Sequence, residues 1–143
     1  MITEVEAYVG PDDKASHASR LWRGSLRAAR GKTERTKVMF GKPGRWYVYL
    51  IYGVHHCLNI VTEKESYPAA VLIRSVAGAK GPGKVCRYFK IDKSFNAQPA
   101  VKKSGLWIEN RGVRINPRLI QRGTRIGVDY AGEWKNKPWR FYC

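Results

Sequence analysis

A carboxylate inside an apolar strand pattern is either paired or at work, and Glu6, set between Val5 and Ala7, is such a carboxylate. Arg74 closes the apolar run 69–73 and has the same need for a partner. Two readings of these residues stay open: a structural ion pair, or a general base, because a carboxylate beside a guanidinium can orient a water and take its proton. Tyr8, His17, Tyr49 and Tyr52 supply flat π surfaces, suited to stacking nucleobases or to filling a tyrosine-rich core. Asn59 lies in the middle of an apolar run and must hydrogen-bond either the backbone or the edge of a base.

Other chemistries fit less well. His55, His56 and Cys57 are adjacent, but neighbours on a strand point to opposite faces, so only His55 and Cys57 can converge, and no matching ligand cluster stands elsewhere. No metal is expected. The chain has no G-x-S-x-G nucleophile motif, and 81–84 lacks the spacing and the Ser/Thr of a phosphate-binding P-loop, so neither chemistry is expected. Among 143 residues, 27 Lys and Arg face 11 Asp and Glu, a formal net charge of +16 that attracts polyanions. With 43% hydrophobic and 12% aromatic residues, this is a folded basic protein and not a disordered tail. Segment 20–42, densely basic, reads as a surface loop that tracks phosphates. Cys57, Cys86 and Cys143 are widely spaced and odd in number, which fits reduced thiols. The longest apolar stretch, 46–54, is far short of the roughly 20 residues that span a bilayer. The acidic residues at the start do not suit a signal peptide, so no membrane or export is expected.

The elements that must position these residues are mostly strands. Period-two alternation over 2–9 places Ile2, Glu4, Glu6 and Tyr8 on one face and Thr3, Val5, Ala7 and Val9 on the other. Gly10-Pro11-Asp12-Asp13 breaks the strand, and Asp12 or Asp13 is placed to cap a short helix through Ala15 and His17. The turn Gly41-Lys42-Pro43-Gly44 launches the β-prone run 46–52, with Tyr47, Tyr49 and Ile51 on one face and Trp46, Val48, Leu50 and Tyr52 on the other. A break at Gly53 would re-aim Tyr52. Further strands are expected over 54–62, 69–76, 106–114 and 126–130, and a short helix over 84–89 behind Gly81-Pro82-Gly83, whose N–H groups suit a phosphate. Strands outnumber helices, which favours an α+β domain around a mixed or antiparallel sheet.

The order of these residues resembles a known family. Thr3-Glu4-Val5-Glu6-Ala7-Tyr8, Gly10-Pro11-Asp12-Asp13 and Ala15-Ser16-His17 are similar to the opening signature of the alkyladenine (3-methyladenine) DNA glycosylases. A second block, Met39-Phe40-Gly41-Lys42-Pro43-Gly44, Tyr47-Val48-Tyr49-Leu50-Ile51-Tyr52-Gly53 and Cys57-Leu58-Asn59, resembles the family's M-F-x-x-P-G, Y-V-Y-x-I-Y-G and C-x-N run at the right spacing. The likeness continues through Val71-Leu72-Ile73-Arg74, Gly81-Pro82-Gly83-Lys84 and Asp92-Lys93-Ser94-Phe95-Asn96. It closes on Ala131-Gly132-Glu133-Trp134 and Lys137-Pro138-Trp139-Arg140-Phe141-Tyr142.

The resemblance implies a single compact α+β domain over 1–143, built on a curved, mainly antiparallel sheet with a protruding β-hairpin and a few short helices. Set beside the family, the expectation is a domain without the segment that members carry ahead of the block at Thr3. It implies an enzyme that flips alkylated or deaminated purines (3-methyladenine, 7-methylguanine, hypoxanthine, ethenoadenine) out of double-stranded DNA and hydrolyses the glycosidic bond without metal or cofactor. Carried over residue by residue, Glu6 activates the water and Arg74 positions it. Tyr8, His17 and Tyr49 enclose the flipped base, Asn59 crowds the exocyclic amine of guanine, and Tyr52 enters the vacated stack. A monomer acting in the cytoplasm or nucleoid of a bacterium, or in a eukaryotic nucleus, completes the expectation. The competing reading is a non-catalytic basic nucleic-acid-binding module, for which charge and aromatics alone would serve equally well.

Overall fold

A computed structural model describes residues 1–20 and 31–143. Seven strands pair antiparallel throughout: β1 (Ile2–Tyr8), β2 (Trp46–Ile51), β3 (His55–Val61), β4 (Ala70–Val76), β5 (Ala79–Lys80), β6 (Gln121–Gly123) and β7 (Arg140–Tyr142). The sheet order is β2-β3-β4-β1-β7-β6, with β5 pairing β4. One α-helix, α1 (Pro82–Tyr88), and short 3-10 turns complete the described residues, giving an α+β architecture on an antiparallel sheet.

Alternation along β2 splits the core in two. Trp46 and Val48 pack with Leu58, Ile73 and the α1 residues Val85 and Cys86, whereas Tyr47 lies in a second cluster with Ala70 and Val61, flanked by Tyr49. Both faces of the sheet are thereby buried, as the bulky residues at alternate positions require. The hairpin between β2 and β3 turns through Tyr52, Gly53 and Val54, with φ of +52° at Tyr52 and +70° at Gly53. Those left-handed residues swing Tyr52 away from the Trp46–Val48 face and leave it 87% exposed at the tip.

Five expectations are corrected. Segment 13–17 is a series of turns and not a helix: Asp13 accepts the N–H groups of Val9 and Ala15 and holds the chain in a tight bend. Segment 106–114 is irregular, with a bend at Gly112 (φ +75°), and 126–130 bends at Gly127 (φ +76°) into a 3-10 turn, so neither joins the sheet. Segment 20–42 is not surface loop throughout, since Lys37–Phe40 forms a 3-10 turn that buries Val38 and Met39 against Tyr47. Its basic residues Arg23, Arg27 and Arg30 lie outside the described residues. Finally, β1 does not alternate strictly. Register shifts on either side of Glu4 let Ile2 and Val5 pack on one core cluster, so Ile2 leaves the face of the acids.

Candidate active site

Antiparallel pairing brings residues far apart in sequence into one transverse row. Glu6 on β1 lies opposite Leu72 of β4 and Arg140 of β7, while Asn59 on β3 lies opposite Leu72 and Tyr47. A cavity of about 300 Å³ opens on this side of the sheet. Tyr8, His17, Tyr49, Tyr52, Asn59 and Arg74 all line it, so six of the seven residues singled out in the sequence converge on one space.

Glu6, the seventh, stands one layer behind the wall and is wholly buried. Two donors and one ion pair hold it, each from a residue that lines the cavity: the Tyr8 hydroxyl donates to Oε2 at 3.0 Å, the Ile126 backbone N–H donates to Oε1 at 2.8 Å, and Arg74 Nη1 forms an ion pair with Oε1 at 3.2 Å. The carboxylate is thus satisfied and aimed, as a buried acid must be. Arg74 is in turn braced from behind. Its Nε donates to Glu4 Oε1 at 3.2 Å, and Glu4 also accepts from Arg140 Nη1 at 3.0 Å and from the Ser75 hydroxyl at 2.7 Å. Ser75 Oγ accepts the Gly81 N–H, so one of the N–H groups ahead of α1 is already used inside the fold.

The aromatic walls are fixed by edges and bonds. His17 meets the Tyr49 ring edge-on at 4.6 Å, Tyr47 lies 5.2 Å from Tyr49, and His17 Nδ1 sits 3.2 Å from the Tyr47 hydroxyl. Burial lifts all three phenols. Tyr47 rises to about 12, and Tyr49 and Tyr8 rise well above the ordinary value, Tyr8 with a further push from the Glu6 charge it faces. They remain hydroxyl donors at any physiological pH. Asn59, 3% exposed, donates Nδ2 to the carbonyl of Tyr47 at 3.0 Å and to that of Cys57 at 3.4 Å, so its bonds are to backbone while its side chain still borders the cavity. The Cys57 thiol, also on the wall, is raised by burial first of all and is a poor nucleophile there.

Several contributors were not foreseen. Arg125 is buried and pairs bidentately with Asp13, Nη1 to Oδ2 at 2.5 Å and Nη2 to Oδ1 at 2.9 Å. Ile126, Gly127, Val128 and Tyr130 form the wall that follows it, and the Tyr130 hydroxyl donates to the Ala15 carbonyl at 2.9 Å. Asp13 and Arg125 stand 112 positions apart, and no local pattern announces such a pair. Glu4 alone carried a signal, its period-two spacing from Glu6. Among the described residues no three His, Cys, Asp or Glu side chains gather into a metal-binding group.

The similarity of this chain to known proteins accords with that geometry. The family model described as Methylpurine-DNA glycosylase (MPG) matches residues 1–79 and 75–143. A protein of Methanocella arvoryzae (strain DSM 22066 / NBRC 105507 / MRE50) is 44% identical over 161 residues, covering 99% of this chain and 74% of its own length. One from Anaeromyxobacter dehalogenans (strain 2CP-C) is 44% identical over 148 residues, covering 98% of this chain and 65% of its own length. One from Ehrlichia chaffeensis (strain ATCC CRL-10679 / Arkansas) is 42% identical over 150 residues, with 99% and 75% covered. All three are provisionally named 3-methyladenine DNA glycosylase, and this chain spans between 65% and 75% of their lengths.

Proposed function

The chain belongs to the methylpurine-DNA glycosylase family of base-excision-repair enzymes, and from that premise we propose that it removes alkylated or deaminated purines from double-stranded DNA as a monofunctional hydrolase. The observation that carries this reading is the placement of Glu6. A fully buried carboxylate, gripped by two hydrogen-bond donors and one guanidinium that all border one aromatic cavity, is arranged for a task at that cavity.

The steps follow from the residues. The basic surface, with a net charge of +16, binds the phosphates. Unstacking one nucleotide costs a few kcal/mol, least for a damaged and weakly paired base. Tyr52 at the hairpin tip fills the vacated stack, and the extruded purine enters between Tyr8, His17 and Tyr49. Asn59 leaves no room for the exocyclic amine of guanine. As the purine departs the sugar gains oxocarbenium character, which the Glu6 carboxylate stabilises while it takes a proton from the attacking water. That water enters where Tyr8, Arg74 and Ile126 meet, the three groups that screen Glu6 from the cavity. Cationic alkylpurines leave readily. Neutral purines such as hypoxanthine need ring protonation, so their release falls more steeply as pH rises. The domain over 1–143 acts as a monomer on chromosomal DNA, in the cytoplasm of a bacterium or the nucleus of a eukaryote.

The test is Glu6→Gln on a duplex containing hypoxanthine. Excision should fall at least about a hundredfold, the scale of a lost general base, while binding survives. Undiminished formation of abasic sites by the variant removes Glu6 from this role. A wild-type chain that binds the duplex but forms none supports a pure binding module.

A further inference from the structure

We infer that Arg125, locked to Asp13, is a positioning residue that sets both the Glu6 carboxylate and the two chain segments walling the cavity; this rests on the reading of Glu6 as general base. A single guanidinium ties together four parts of the fold. Besides Asp13, Arg125 Nη1 donates to the Ala7 carbonyl at 2.9 Å, between Glu6 and Tyr8 on β1, and Nη2 donates to the Trp134 carbonyl at 3.2 Å. Its carbon centre lies 5.0 Å from the ring centroid of Tyr8 and 5.0 Å from that of Trp139.

The Asp13, Ala7 and Tyr8 contacts lead to the site within a residue or two. Ile126, next in the chain, supplies the N–H that holds Glu6 Oε1. The Tyr8 ring beneath the guanidinium carries the hydroxyl that holds Oε2. On the other side of the ion pair, Asp13 accepts the Ala15 N–H and fixes the turn that delivers His17 to the cavity. Neither Asp13 nor Arg125 borders the cavity, and their charges cancel. The pair therefore acts on the Glu6 donors through the geometry of its bonds. A buried ion pair is a poor way to gain stability, because desolvation offsets its attraction, whereas it is a good way to specify one arrangement of directional bonds. A guanidinium bonded to Asp13 and to the Ala7 carbonyl and lying against the Tyr8 ring, with its chain neighbour Ile126 on Glu6, serves that second purpose. Displacing the reacting groups by about 1 Å costs on the order of a hundredfold in rate, with no comparable loss in binding.

The test uses the full chain as Arg125→Lys, Arg125→Met and Asp13→Asn, assayed at low temperature where folding is verified by circular dichroism. Single-turnover excision of hypoxanthine should fall about tenfold to a hundredfold in Arg125→Met and less in Arg125→Lys, which restores part of the rate by keeping a buried cation. Affinity for the same duplex should stay within about threefold. The amide resonance of Ile126, which moves in Glu6→Gln when its acceptor changes, should move in the Arg125 and Asp13 variants as well. An unmoved Ile126 amide, an unchanged excision rate in folded Arg125→Met, or rate and affinity lost in equal proportion overturns the positioning role. Arg125→Lys and Asp13→Asn decide the matter where Arg125→Met does not fold. Failure of the wild-type chain to excise any base overturns the general-base reading instead, and the amide shift still reports whether Arg125 holds Ile126 on Glu6.

Discussion

Glu4 is the support on which Arg74 rests, and its replacement by Gln gives a prediction whose sign depends on pH. Burial alone would raise the Glu4 carboxyl. Hydrogen bonds from Ser75 and Arg140, with the charge and hydrogen bond of Arg74, outweigh that and hold it below the ordinary 4.5. A group lowered in the folded state contributes stability above its unfolded value and loses it as pH falls through the folded value. Glu4→Gln removes the charge that two guanidinium hydrogen bonds use, at 3.2 and 3.0 Å, while its amide oxygen can still accept from one donor. Hydrogen bonds to charged groups are each worth about 1.5–3 kcal/mol. Glu4, Arg74 and Arg140 remain 17%, 11% and 21% exposed at the side chain, so some solvent screening applies. A net loss of about 2 kcal/mol at pH 7 follows, or about 4–8 °C in Tm for a chain of this size. The assay is urea unfolding of both proteins from pH 7 down to pH 3.5. The gap should be widest at neutral pH and close progressively below about pH 4.5, where the wild type protonates what the variant has already lost. A gap independent of pH would refute the reasoning, because it would show that Glu4 contributes through packing and not through its charge.

Two further substitutions probe the cavity. Tyr52→Ala should weaken binding to a lesion-bearing duplex by about tenfold or more and binding to the corresponding single strand far less, since only the duplex offers a stack to fill; fluorescence anisotropy on both measures the difference. Asn59→Ala should cost about 2 kcal/mol, because a 3% exposed side chain and its bonds to two carbonyls are lost, and should raise the release of undamaged guanine relative to hypoxanthine, read by chromatography of the freed bases.

The strands that carry the site were legible because alternation is a local property. Glu4, Glu6 and Tyr8 at period two, the Tyr47/Tyr49 face against the Trp46/Val48 face, and the need of Arg74 for a carboxylate follow from residue type and spacing, and each is realised in contacts. Even the re-aiming of Tyr52 was signalled by the glycine beside it. Strand-like composition misled the same logic at 106–114 and 126–130: no neighbouring edge receives either segment, and the bend at Gly127 turns the second into the cavity wall.

Identity and periodicity of side chains therefore determined which residues are available for chemistry and which face of each strand they occupy. Folding in three dimensions decided how those residues meet. It placed Glu6 behind the wall and not on it, chose the Ile126 N–H as one of its donors, and paired Asp13 with Arg125 across 112 positions. The physical reason is that alternation acts over two residues, whereas burial of a charge is satisfied by whichever partner the assembled sheet brings within about 3 Å, however distant in the chain.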